Sequence, residues 1–461
     1  MSLSLQHIFE WLPPGSHCVR GKAWHSPVTR FAADSREVVP GSVFICLRGK
    51  RHDGHHFLEE AYRRGAIAAM VAHDFMAPSC DLTLFRVSCV QDAFQEAARR
   101  HVATLPCHIM GITGSLGKTT VKEFTHTLLS GARRAMATLG NQNSQVGLAL
   151  SLLNHLDGSC AHAVLEMAMT EAGQIRTLTG IAPPDVALIT RIALVHAENF
   201  SGIEAIAKAK AEIFSHPKTS MVLLNRASPC SRLLQAEAGG RAQTFSMSQD
   251  REATWTLKPL PHAVIVSERG TPRTLEGVAF PAPHVYECLL ASIALARSVG
   301  LSWQEIEERL PHLRLPPKRL EVVVQGGITF VDDSYNASEL SIQAAMDFCA
   351  RYHCTGRRIA VIGGVLELGP YSSACHRRLG EYAVGRIDEL FCLGEVTCPM
   401  VQVWEESGRT VFWYRDYDEL LSAVGRHLQP RDLVLIKGSR ATGLQHMLQD
   451  MMRGWHAAPV S

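Results

Sequence analysis

The stretch Gly111-Ile112-Thr113-Gly114-Ser115-Leu116-Gly117-Lys118-Thr119-Thr120 constrains the fold more than any other part of this chain. An apolar run over 108–112 reads as a buried strand, and residues 121–129 read as a helix. Strand, glycine-rich turn and helix in that order make a phosphate-binding loop. Glycine lets backbone N–H groups approach phosphate oxygens, and the helix N-terminus favours negative charge. Gly114, Ser115, Leu116, Gly117, Lys118, Thr119 and Thr120 are therefore the candidate nucleotide contacts. Lys118 would reach the β and γ phosphates, and the Thr119 hydroxyl would ligate Mg²⁺. The usual eight-residue spacing asks for glycine five positions before Gly117, where this chain has Ile112.

A chain of 461 residues is too long for one core, and three units are expected. The predicted fold class is α/β throughout. A small N-terminal α/β unit spans 1–105, with strands at 43–47 and 66–71 and helices at 57–64 and 91–105. A central unit spans 106–313, a parallel-sheet P-loop domain with strands at 163–165, 186–189 and 222–224 and its ligand at the strand C-termini. Pro316-Pro317 reads as a hinge, and a C-terminal, Rossmann-like α/β unit over 314–461 repeats the pattern at 358–362, 389–392 and 433–436. A formal charge of +2 gives no electrostatic reason to expect nucleic acid or an anionic membrane as partner. No apolar run is long enough to span a bilayer, so membrane insertion is not expected. The N-terminus has no basic start or signal core, and thirteen scattered cysteines fit reduced thiols. A cytoplasmic enzyme is the expectation. His52, His55 and His56 share a loop-like stretch, read here as no metal site.

Three further groups sit at or beyond strand ends in the central unit. Glu166 closes the strand at 163–165, where a carboxylate can face an ion held by Thr119. His196 and Glu198 follow the strand at 186–189, and Lys210 lies in a helix over 203–214. Each has a plain structural alternative: a capping glutamate, a hydrogen-bonded core histidine, a solvated lysine. Together, after a phosphate loop, they form a candidate metal–nucleotide site.

On these motifs the chain resembles the Mur ligases, the ATP-dependent amide-forming enzymes of peptidoglycan synthesis, nearly end to end. Residues 111–119 have the family form Gly-x-Thr-Gly-x-x-Gly-Lys-Thr, which accounts for the off-register glycine. Asp34-Ser35-Arg36, Gly41-Ser42-Val43-Phe44 and Asp53-Gly54-His55 resemble the segment that holds the UDP-sugar, so Ser35 and Arg36 are implied as its contacts. Gly140-Asn141-Gln142-Asn143 is similar to a second substrate loop, implying Asn141 and Asn143. The resemblance implies Lys118, Glu166, His196 and Lys210 as the catalytic set. Thr119, Glu166, His196 and Lys210 would hold two Mg²⁺ ions, with Lys210 rather than Lys208 as the lysine the family carbamylates. Arg319, Asp333 and Asn336 match the hinge motif that closes on ATP. Glu367-Leu368-Gly369, His376 and Lys437-Gly438-Ser439-Arg440 resemble a carboxy-terminal signature of the members that add a dipeptide. Lys437, Ser439 and Arg440 are implied there as contacts of the incoming carboxylate.

The implied reaction is ADP-forming addition of D-alanyl-D-alanine to UDP-N-acetylmuramoyl-tripeptide through an acyl phosphate, by a monomer. The alternatives are a related ligase adding a single amino acid and a nucleotide-binding homologue without catalysis. Departures from the family pattern fall at Arg191, His284 and Glu287, where asparagine is usual, at Ala168 for glycine, and at Gly364 for aspartate. A further departure is Asn225-Arg226-Ala227, where Asn-Ala-Asp is typical. None alters Lys118, Glu166, His196 or Lys210.

Overall fold

The computed structural model describes residues 3–49, 52–76, 81–130, 134–247, 250 and 252–457. Its described strands form three sheets, one after another along the chain. The first has the order His17–Val19, Thr83–Val87, Ala66–Ala72, Ser42–Ile45, Arg30–Ala32, parallel except for the first pair. The third has the order Glu321–Gln325, Ile328–Asp332, Leu433–Lys437, Arg358–Gly363, Glu389–Leu393, Val411–Tyr414, again parallel apart from its first pair.

The central sheet has nine strands. Ala135–Ala137, His162–Glu166, His108–Thr113, Val186–Ile189, Met221–Asn225 and Ala242–Ser246 run parallel. His108–Thr113 sits between the strand that comes two later and the one that comes three later in the chain. Connections therefore leave it in opposite directions, and such a switch point opens a crevice at the strand C-termini. The central sheet is parallel as expected, and beyond Trp255–Pro259 it gains an antiparallel edge. Trp255–Pro259 pairs parallel, but Ala263–Glu268 and Thr271–Glu276 fold back antiparallel. The turn at Arg269-Gly270 has both residues at positive φ (50° and 83°), as a two-residue hairpin requires. Thr271–Glu276 is mostly exposed and carries Pro272 and Arg273, which blunt the edge against further pairing.

Local sequence explains the helices that frame the crevice. In Val90–Ala103, Val90, Ala93, Phe94, Ala97, Ala98, His101 and Val102 are buried, an i, i+3, i+4, i+7 stripe. In Pro283–Ser298 almost everything from Val285 to Ala296 is buried, and Pro283 starts the helix where its missing N–H costs nothing.

The apolar cores do not follow the sheets one to one. One cluster runs from Leu5, Phe31, Phe85 and Phe94 of the first unit into Leu148, Leu165, Ile189 and Leu224 of the central unit. A second runs from Met110, Phe124 and Leu289 of the central unit into Val331, Ile342 and Leu435 of the third. Asn154 of the helix Gln145–His155 completes the first junction. It accepts from Phe31 N (2.7 Å) and donates to Phe31 O (3.0 Å), treating the edge of the first sheet as a missing strand would.

Candidate active site

Gly114 and Gly117 shape the phosphate loop. Gly114 has φ +144°, and a Cβ there would sit 1.9 Å from Thr190 Oγ1. Thr190 donates the single proton of that hydroxyl to Leu116 O, with Thr113 O also 3.3 Å from the oxygen, so the end of the neighbouring strand clamps the loop. Ser115 N donates to Arg191 O (2.7 Å), and its hydroxyl exchanges bonds with Ala193 N and O (2.9 Å each). Gly117 (φ +82°) begins the helix Lys118–Leu129. The Lys118 amine bonds Gly114 O at 2.9 Å; burial depresses its pKa, opposed by the Glu166 charge.

Thr119 Oγ1 donates to Glu166 Oε2 (2.9 Å), and Asn143 Nδ2 donates to Glu166 Oε1 (2.7 Å). The Arg319 guanidinium reaches across from the third unit to Thr119 Oγ1 (3.1 Å) and lies 4.4 Å over the Tyr335 ring. Beneath them Lys122, fully buried, donates to Thr138 O (2.6 Å) and Gly140 O (3.2 Å), fastening the helix to the loop that carries Asn141 and Asn143. Thr119, Asn143, Glu166, Arg319 and Tyr335 border a cavity of about 1060 Å³. Its lining takes Gln91 from the first unit, the 115–121 loop, Asn141, Asn143, Glu166 and His196 from the central one, and Arg319, Asp333, Asn336, Glu367, Lys437, Ser439 and Arg440 from the third.

Lys210 is 2% exposed, while Lys208 on the opposite side of the same helix faces solvent. Burial and the nearby Lys118 charge drive the Lys210 pKa well down, and its amine has no acidic partner among the described residues. His196 stands at φ +53° and pairs through Nδ1 with Glu367 of the third unit. Burial lowers its pKa, against the pull of Glu367. Among the described residues no group of three or more His, Cys, Asp or Glu side chains converges as a closed metal cage. Mg²⁺ asks for less: one or two carboxylates, with phosphate and water oxygens supplying the rest. The Thr119 hydroxyl beside the Glu166 carboxylate fits that need.

Several residues lie differently from their reading in the sequence. Lys437 was expected to face an incoming carboxylate. Its buried amine instead bonds Asp333 Oδ2 (2.6 Å), Asp333 O (3.1 Å) and Asn336 O (3.0 Å), so all three protons are committed inside the protein. Asp333 also accepts from Leu320 N, next to Arg319, and Asn336 Oδ1 caps its own turn at Ala337 N. Ser439 Oγ accepts from Leu366 N (3.0 Å), leaving Arg440 exposed at the cleft rim. Ser35 and Arg36 lie in the first unit, outside the cleft lining. The Ser35 hydroxyl donates to Glu60, and Arg36 grips Asp34, whose pKa falls to about 2 as a result.

His376 is a buried structural residue, accepting from Val365 N and bonding Ser372 O. His55 is likewise structural, held between Asp53 and Ala72 N. At Gly364 a Cβ would meet Val396 Cγ2 at 2.1 Å, so the aspartate usual in the family has no room as packed. Two other departures compensate each other. Arg191 Nε lies 3.5 Å from Glu287 Oε1, and Asn225 donates to the same carboxyl. Burial raises the Glu287 pKa while Arg191 opposes the rise. The opposite signs of Arg191 and Glu287 were the signal in the sequence.

Residues 27–106 match the family description "Mur ligase family, catalytic domain", 112–267 "Mur ligase middle domain", and 318–440 "Mur ligase, glutamate ligase domain". The chain belongs to the Mur ligase family. Within it, the chain is similar to the UDP-N-acetylmuramoyl-tripeptide–D-alanyl-D-alanine ligases of Synechocystis (33% identical, covering 92% of both chains) and Bacillus subtilis (30% identical, covering 91% of this chain and 92% of that one). It also superposes on the crystal structure of MurF ligase from Thermotoga maritima in complex with ADP, with a TM-score of 0.75 at 28% identity over 93% of this chain and 98% of that one.

Proposed function

We propose that the protein is an ADP-forming ligase that joins D-alanyl-D-alanine to the terminal carboxyl of UDP-N-acetylmuramoyl-tripeptide. One observation carries the reading: a single cavity large enough for several ligands is lined by all three units and floored by the phosphate loop. The first unit (1–105) takes the UDP-sugar, with Ser35 and Arg36 beside it. The central unit (106–313) binds ATP on residues 114–120, and the third (314–461) brings the dipeptide.

The substrate carboxylate attacks the γ-phosphorus, giving an acyl phosphate and ADP. The dipeptide amine then attacks the acyl carbon, forming the amide, releasing phosphate and losing a proton. Lys118 leaves Gly114 O to neutralise phosphate charge as it shifts onto the leaving ADP. Arg319, braced on Tyr335 and next to Leu320, whose N–H Asp333 holds, closes the cleft and keeps water from the acyl phosphate. Arg440, at the rim, receives the dipeptide carboxylate. Mg²⁺, when bound, would supply charge neutralisation. Thr119, Glu166 and His196 would hold it, together with Lys210 once that amine had added CO₂ to become a carbamate and released a proton. Burial and the Lys118 charge lower the pKa of this amine and so favour the neutral form that the addition needs. The twelve described cysteines are all unpaired, and no described helix is long and apolar enough to cross a membrane. A cytoplasmic monomer is part of the same proposal.

The test is ADP release with ATP, Mg²⁺ and UDP-N-acetylmuramoyl-tripeptide, with and without D-alanyl-D-alanine. Release that needs the dipeptide supports the proposal. Release with single amino acids alone, or none with any acceptor, overturns it.

A further inference from the structure

Two short backbone segments from different units meet at one edge of the cleft, and both are held in conformations that L-residues avoid. His196 has φ +53° and Glu367 has φ +63°. Each left-handed non-glycine residue costs on the order of 1 kcal/mol and persists only where its surroundings impose it. The surroundings here are the two segments themselves. Glu367 O accepts from Glu198 N (3.2 Å), its carboxylate accepts a hydrogen bond from His196 Nδ1, and Gly369 packs against the Glu198 backbone, where an added Cβ would lie 3.1 Å from Glu198 Cα. Glu367 is thus bound at its carbonyl and its side chain to the short segment that presents His196. A carboxylate only accepts hydrogen bonds, so Nδ1 carries the proton, and in the neutral ring Nε2 then keeps its lone pair. Metal-bound histidines are commonly fixed in this way by a carboxylate behind the ring.

Building on the cation site proposed above, we infer that Glu367 is a positioning residue for that site and makes cation binding and cleft closure one coupled event. The histidine belongs to the central unit and the carboxylate to the third. The ring is therefore set for a cation only while the third unit lies against the central one. Linkage makes the effect reciprocal: a cation held through His196 favours the closed arrangement by the same factor by which closure tightens the cation.

The experiment measures Mn²⁺ binding to the full chain with ADP present, by the electron paramagnetic resonance of free Mn²⁺. Small-angle scattering with and without Mn²⁺–ADP is recorded in parallel. Wild type is compared with Glu367→Ala, Glu367→Gln and Glu166→Gln. Glu367→Ala is expected to weaken Mn²⁺ by about 10- to 100-fold and to reduce the Mn²⁺-induced compaction. Glu367→Gln, whose amide oxygen can still accept from Nδ1, should stay within a few-fold of wild type and so separates positioning from folding defects. Unchanged Mn²⁺ affinity in Glu367→Ala overturns the inference. Tighter binding overturns it too, because the contact would then compete with the cation. The reading of the site itself fails differently: wild type would not bind Mn²⁺, or Glu166→Gln would bind it as well as wild type.

Discussion

Replacing Gly114 by alanine should damage the phosphate loop by an amount the structure lets one work out. The new Cβ would stand 1.9 Å from Thr190 Oγ1, at a residue whose φ of +144° is already unsuited to a side chain. The backbone strain is worth roughly 1–3 kcal/mol. Relieving the clash means swinging the Thr190 hydroxyl away from Leu116 O, where its one proton makes a bond of about 1 kcal/mol. Gly114→Ala should therefore lose about 2–4 kcal/mol, a fall in Tm on the order of 10 °C by the scaling for domains near 200 residues. Thr190→Ala alone gives up only the hydrogen bond, about 1 kcal/mol. In the double variant the hydroxyl clash is absent and the same bond is lost once, so the double should be no less stable than Gly114→Ala. The coupling would be about 1 kcal/mol below additivity. Thermal melts and ADP titrations of the four proteins complete the cycle. If Gly114→Ala melts with wild type, or the two substitutions simply add, the loop is not clamped as described.

Lys118→Ala should abolish ADP formation while leaving the melt near wild type; turnover within tenfold would remove Lys118 from the phosphates. Lys210→Ala should be nearly inactive and partly restored by added short carboxylates, whereas exposed Lys208→Ala should stay within about twofold; the reverse order would mean the wrong lysine was chosen. Arg440→Ala should raise the dipeptide KM with little change in stability. Lys437→Met should instead cost about 3 kcal/mol of stability, because it leaves the Asp333 carboxylate unpaired in a largely buried site; equal melts for the two variants would refute that division of labour.

What could be read from the sequence was what local chemistry determines. The strand His108–Thr113, the helix after Gly117 and most parallel strands lie within a residue or two of their expected positions, because buried runs and glycine turns carry their own signal. The hairpin after Trp255–Pro259 was not read, since Thr271–Glu276 is exposed and has no apolar alternation. Motif spacing named Lys118, Glu166 and His196. It could not show that Lys437 spends its amine on Asp333, because the two lie 104 residues apart and meet only through the sheet. Lys208 and Lys210 differ in a way that spacing does announce. Two residues along a helix means opposite faces, and Lys210 is buried while Lys208 meets solvent.

The shared cores bear on how such a chain is made and destroyed. A piece ending near residue 105 would present Phe31, Phe85 and Phe94 without the central helices that cover them. A piece beginning near residue 314 would lack Phe124 and Leu289 against Val331 and Ile342. Neither piece is a finished object. A ribosome that has delivered only the first unit has delivered a sticky surface, which stays a client for chaperones until the P-loop sheet arrives. A protease nick that separates the units likewise condemns all of them together, so synthesis and turnover treat the three as one.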